Sequence, residues 1–161
     1  MLATLIEALA EHTAMREREG AHLQQDILAR VMKMRIWIEQ ISEMAVGSTQ
    51  KHYEKLKARL DELLRGSAEN EERILREVAL YAEKVDVAEE ITRFTSHLSQ
   101  FQQFLIDPEM ASGKAIDFLL QELFRETNTI GSKTADIRIT RLVLEIKNEL
   151  ERIREQIQNV E

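Results

Sequence analysis

Asp86, Glu90, Arg93 and His97 follow one another at steps of four, three and four residues. At ~100° per residue, that spacing puts all four on one narrow face of a helix. The face lies beside the apolar run Val87, Ile91, Phe94 and Leu98, so its carboxylates are partly shielded from water. Carboxylates in that position need a cation, a metal ion or hydrogen-bond donors. Glu89 stands one step round and is placed to join them. Asp, Glu and His together suit a hard or borderline divalent ion such as Mg2+ or Mn2+. The same spacing also fits an intrahelical ion-pair ladder between Asp86, Glu90 and Arg93, a common arrangement on helices.

A second polar concentration lies between Asp117 and Lys133, in DFLLQELFRETNTIGSK. One flank of its apolar face carries Asp117, Gln121 and Asn128, with Phe124 among them. The other flank carries Glu122, Glu126, Thr129 and Lys133, and Arg125 turns away from the apolar seam. Phosphodiester cleavage needs carboxylates for a metal or a general base, and cationic groups for charge developing on phosphate. Those residue types are present. Asn128-Thr129 and Gly131-Ser132 equally read as the end of one helix and the cap of the next.

The elements that must position these residues are helical. One proline, five glycines and almost no alternating β-branched runs predict an all-α chain of long helices. Narrow, coiled-coil-like seams predict an extended helical hairpin or bundle. The first stripe includes Leu5, Leu9, Leu23, Ile27, Val31, Met34, Ile38, Ile41 and Ala45, with Thr13, Arg16 and Gly20 as a polar interruption. That interruption fits an exposed segment, or a place where Arg16 and Glu19 enter a polar site with Gly20 allowing close approach. Gly47-Ser48-Thr49 predicts a turn, followed by a short helix from Gln50 to Leu64. Residues 1–66 are thus expected to form an N-terminal helical hairpin, and residues 67–161 a C-terminal helical region. The latter begins with a helix over about residues 68–106, with Leu80, Val87, Ile91, Phe94, Leu98, Phe101 and Leu105 as its seam. Asp107-Pro108 stops that helix. A last helix from about Asp136 carries the heptad seam Ile139, Val143, Ile146, Leu150, Ile153, Ile157 and Val160.

Composition narrows the function classes. The chain has 161 residues, no cysteine and a formal charge of −7, which rules out disulfides and thiolate metal sites and argues against non-specific nucleic-acid binding. No apolar run approaches the ~18 residues of a membrane span, the N-terminus lacks signal-peptide features, and the absence of cysteine suits a reducing cytoplasm. No nucleotide-binding glycine loop, nucleophile elbow or zinc-protease motif is present. His12, His22 and His52 stand in charged helical surroundings and read as surface residues.

Asp86-Val87-Ala88-Glu89-Glu90-Ile91-Thr92-Arg93 with His97, then Gly113-Lys114, Asp117-Phe118, Gln121-Glu122, Arg125-Glu126, Asn128-Thr129-Ile130 and Ser132-Lys133, resembles the C-terminal half of the YicC/YloC family. The ending Glu151 to Glu161 and the early Arg16-Glu17-Arg18-Glu19-Gly20 are similar to that family as well. The resemblance implies a bacterial cytoplasmic, metal-dependent endoribonuclease linked to RNA turnover and stress, which assembles as a hexamer and uses Mn2+ or Mg2+. It also implies an N-terminal mixed domain that has no counterpart in this chain. On residue type and family pattern together, Asp86, Glu89, Glu90, Asp117 and Glu122 are expected as metal ligands. Glu90, Glu122, Glu126 and His97 are expected as catalytic groups. Arg16, Arg93, Lys114, Gln121, Arg125, Asn128, Thr129 and Lys133 are expected to face RNA. Phe124 and Ala115 depart from the family pattern, the first replacing Asn and the second a basic residue. A helical oligomerisation module without catalysis, built on the seams at 27–45 and 139–160, is the alternative.

Overall fold

A computed structural model describes residues 2–63, 76, 79–80, 86–107 and 112–158. Among them are four long helices: α1 (Leu2–Leu63), α2 (Ala88–Ile106), α3 (Gly113–Lys133) and α4 (Ile137–Gln158). The fold is all-α, as composition predicts. No helix among the described residues is long and apolar enough to cross a membrane.

The seams read from the sequence form the core. Ile27, Val31, Met34, Ile38 and Ile41 of α1 are buried, as are Phe94, Leu98 and Phe101 of α2. From α3 come Leu119, Leu120, Leu123 and Ile130, and from α4 Ile139, Val143, Ile146, Leu150 and Ile153. Removing any one of these large side chains leaves a cavity costing ~2–5 kcal/mol. In the packing, α1 lies against α2 and α4, and α3 closes the ring by packing on both. Side-chain contacts fix the directions. Gln24 of α1 bonds the Leu105 carbonyl while Arg35 reaches Gln102 at 3.1 Å, so α1 and α2 are antiparallel. Asp26 meets Gln156 and Arg30 meets Glu149, so α1 and α4 are antiparallel too. The same holds for α2 and α3, where Glu90 meets Lys133 and Arg93 meets Glu126. The result is an up-down-up-down bundle.

Local chemistry sets the helix ends around the site. Ile106 is the last residue of α2, as the following Asp107-Pro108 predicts. Ser112 caps α3 by accepting from the Ala115 amide at 3.3 Å. The Asp136 carboxylate accepts the Arg138 amide at 2.9 Å in the three-residue link to α4.

The structure departs from the sequence reading in four places. First, α1 passes through Gly47-Ser48-Thr49 without a turn, so no hairpin forms between residues 2 and 63. These poor helix formers cost ~1 kcal/mol or less each, too little to stop a helix that continues on both sides. The expected boundary at 66–67 and much of the predicted helix from residue 68 lie outside the described residues. Second, Asp86 and Val87 are not helical, and α2 starts at Ala88, whose amide bonds the Asp86 carboxylate at 2.9 Å. Leu80, assigned to the same seam, is exposed. Third, NTIGSK holds no break and no cap of a following helix, because α3 runs through it and ends only at Lys133. There Gly131 permits close packing on α4: a Cβ at that position would sit 3.1 Å from Val143 Cγ1. Fourth, Leu5 and Leu9 are exposed, and all side chains from Ala3 to His22 face solvent. The polar interruption at Thr13, Arg16 and Gly20 belongs to this exposed arm. No atom outside the local helix lies within 4 Å of a Cβ placed on Gly20, so no close approach occurs there among the described residues.

Candidate metal centre and an adjoining cleft

The antiparallel α2–α3 pair brings both polar concentrations together. The sequence puts acidic residues on the shoulder of each apolar seam, and burying the seams draws those shoulders inward. Glu90 and Glu126 are only 6% and 3% exposed, values that for carboxylates demand compensation. Lys133 Nζ supplies it to Glu90, donating to Oε1 at 2.7 Å and to the Asp86 carbonyl at 2.9 Å. Glu126 has a looser cation, Arg93 Nη1 at 3.8 Å from its Oε1, while Arg93 also pairs with Glu89.

His97, Glu122 and Glu126 each present one donor atom, and the three atoms lie within 4.8 Å of one another. Their convergence is the geometric core of the site. Two side-chain atoms on α2, one of them in this group, have no partner. Glu90 Oε2 and His97 Nδ1 are buried without a hydrogen bond, and Gln156 Oε1 is the remaining such side-chain atom among the described residues. Buried polar atoms are ordinarily satisfied, so these two atoms have room for a further partner, a water or an ion. The arrangement can hold a divalent ion through carboxylate oxygen and imidazole nitrogen, with Arg93 and Lys133 as cations on the same wall.

The remaining sequence-predicted residues fall elsewhere. Asp86 spends its carboxylate on the Ala88 amide, and the exposed Glu89 on Arg93. Asp117, Gln121, Arg125, Asn128 and Thr129 lie on the other edge of α3, where they line a cleft of about 710 Å³ with Phe124. Arg154 and Gln158 from α4 complete its wall. Arg125 links the two regions, since its Nη1 lies 3.7 Å from Glu122 Oε2. Lys114 is exposed in the first turn of α3, and Arg16 lies on the exposed arm of α1. His12 and His22 are exposed, as expected.

Sequence reasoning missed a third polar cluster. Arg30 on α1 bonds Asp26 at 2.8 Å and reaches Glu149 on α4 at 2.5 Å. Glu149, only 4% exposed, also accepts from Arg152 at 2.8 Å, and Gln156 donates to Asp26 at 2.8 Å. The Gln156 and Arg30 hydrogen bonds hold the Asp26 carboxyl below the usual carboxylate range. Bonds from Asp26 and Glu149 raise the Arg30 guanidinium above its usual value. A signal was available: Glu149 sits between Ile146 and Leu150 on the strongest heptad seam, the same shoulder position that singled out Glu90.

These features define an antiparallel helical domain with a His/Glu/Glu group, half-buried at His97 and Glu122 and buried at Glu126, with Arg93 near Glu126. The family model for the C-terminal region of YicC-like endoribonucleases matches residues 41–161. A Clostridioides difficile strain 630 protein named "Probable endoribonuclease YicC" is 46% identical over 156 residues, which are 96% of this chain and 53% of that protein. A Haemophilus influenzae protein of the same name is 32% identical over 161 residues, all of this chain and 55% of the relative. The chain belongs to the YicC-like endoribonuclease family, and it spans about half the length of these curated relatives.

Proposed function

We propose that this chain is the metal-binding and RNA-cleaving helical part of a YicC-like endoribonuclease. The observation that carries the reading is the convergence of His97, Glu122 and Glu126 within 4.8 Å, beside the orphaned Nδ1 of His97. Those three residues would hold the ion, and their mixed oxygen and nitrogen donors would suit Mn2+ better than Mg2+. Bound there, a divalent ion supplies Lewis-acid stabilisation of charge on a phosphate oxygen.

The chain's own groups do the rest. Lys133 holds one oxygen of Glu90 at 2.7 Å and leaves Oε2 without a partner. Arg93 and Lys133 attract the phosphodiester to a chain that is otherwise net acidic. Asp86 and Glu89 serve as a helix-end cap and an outer ion-pair partner in this reading, and neither is a ligand.

The test is cleavage of end-labelled RNA with Mn2+, by this chain and by a full-length relative. His97→Ala and Glu126→Gln are expected to lower the rate by at least ~100-fold. Wild-type rates in both variants would remove the assignment.

A second reading, a helical assembly module, is favoured by the exposed apolar residues Leu5, Ile6, Leu9 and Met15 on the α1 arm. Such a stripe on a helix is an unfilled packing face. Light scattering with and without EDTA separates the two: an oligomer that neither binds Mn2+ nor cuts RNA supports this second reading.

A further inference from the structure

The cleft between α3 and α4 has a composition unlike the metal centre. Phe124 is half-buried, packed against the core, and lines the cleft. Gln121 and Asn128 flank it one helical turn away on either side, on the same wall. Arg125 and Arg154 bring guanidiniums from two helices, against one carboxylate from Asp117. Neither guanidinium is locked in place. Arg125 stands 3.7 Å from Glu122 and Arg154 3.7 Å from Glu151, both beyond hydrogen-bonding distance. An aromatic platform, amides able to read a base edge, and adjustable cations for phosphate are together the parts of a single-stranded RNA subsite.

We infer that this cleft binds one nucleotide of an RNA strand, with its base stacked on Phe124, its base edge met by Gln121 or Asn128, and its phosphates held by Arg125 and Arg154. The site rests on the RNA-cleavage reading for its position: Arg125 neighbours Glu122, so a strand held here reaches the metal centre across α3. A partly buried apolar ring among polar neighbours has little use in holding an ion, and stacking gives Phe124 a function.

The test separates binding from cleavage. Binding of a fluorescein-labelled single-stranded RNA is measured by anisotropy in EDTA, and stacking by quenching of a 2-aminopurine placed in the strand. Phe124→Leu keeps apolar bulk and removes the ring face, while Phe124→Tyr keeps the face. Phe124→Leu and Arg154→Ala are each expected to weaken binding roughly tenfold, and Phe124→Leu to abolish quenching. Phe124→Tyr should restore both. His97→Ala should bind RNA in EDTA like the wild type, so loss of cleavage in that variant leaves the subsite standing. Conversely, wild-type binding and quenching in both Phe124→Leu and Arg154→Ala overturn the subsite while leaving the metal centre intact. Failure of the wild-type chain to bind RNA overturns it as well. Unchanged helical circular dichroism in Phe124→Leu checks that the fold is retained.

Discussion

Among the described residues the bundle buries charge in two places, and the two are built differently. Between α1 and α4, Arg30 is shared by Asp26 and Glu149, and Glu149 is shared by Arg30 and Arg152. Both ions there have close partners. Between α2 and α3, Glu126 has only a cation at 3.8 Å, and Glu90 and His97 each keep a buried atom without a hydrogen bond. The first cluster is self-sufficient and staples two helices. The second leaves polar atoms unpaired, which makes it the better candidate for a ligand site. Burial alone would have ranked them equally.

The contrast can be broken most forcefully at Glu149. Glu149→Ala leaves the half-buried Arg30 with one partner and is expected to destabilise the fold by about 3 kcal/mol, the lower end for a broken buried pair. Replacing both ions, Arg30→Met with Glu149→Leu, should recover most of that loss. Urea denaturation of the single and double variants measures both. A middle-sized effect belongs to the metal side. Mn2+ at ~100 times its dissociation constant should stabilise the wild type by about 2.7 kcal/mol. His97→Ala should lose that gain while its stability in EDTA stays near wild type, read as a change in Tm with added Mn2+. If Glu149 proved dispensable and His97→Ala unfolded the chain in EDTA, the two roles would be reversed. The smallest effect concerns pH. The Asp26 carboxyl is lowered in the fold by its Gln156 and Arg30 bonds, so its contribution is present above its unfolded value of ~3.9 and is lost as pH falls through the folded value. Asp26→Asn should therefore lower stability modestly at pH 7, change little well below about pH 4, and so flatten the acid limb between them, as acid titration followed by circular dichroism would show.

Much of the fold is legible in the sequence because seams obey a period. The core positions on α1, α2, α3 and α4 follow from spacing. Glu90, His97, Glu122 and Glu126 stand out in the sequence because they occupy the shoulders of those seams. What escapes reading depends on tertiary context. The chain through Gly47-Ser48-Thr49 carries turn residues, yet helix propagation across them outweighs their weak local preference. Gly131 reads as a terminator, and its use emerges only against Val143 of the next helix. Asp86 resembles a ligand by spacing because nothing in the sequence announces that α2 begins two residues later. Asp117, Gln121 and Asn128 share one flank by periodicity alone, but the α4 residues that close the cleft over them lie a long way along the chain.

At 1.5 Å per residue, the 62-residue α1 is ~93 Å long, while α2, α3 and α4 each measure ~30 Å. Its first packed residues are near Leu23, so the exposed arm before them is a rod of ~30 Å seated in the bundle at one end. A rod works as a lever: a tilt of ~5° at the seat carries the arm's tip through ~3 Å. The same seat includes Gln24 bonded to the end of α2 and Arg35 bonded to its Gln102, on the helix that carries His97. A tilt of the exposed part of α1 would therefore bear on the helix that carries His97, a small motion at the seat matching a larger one at the arm.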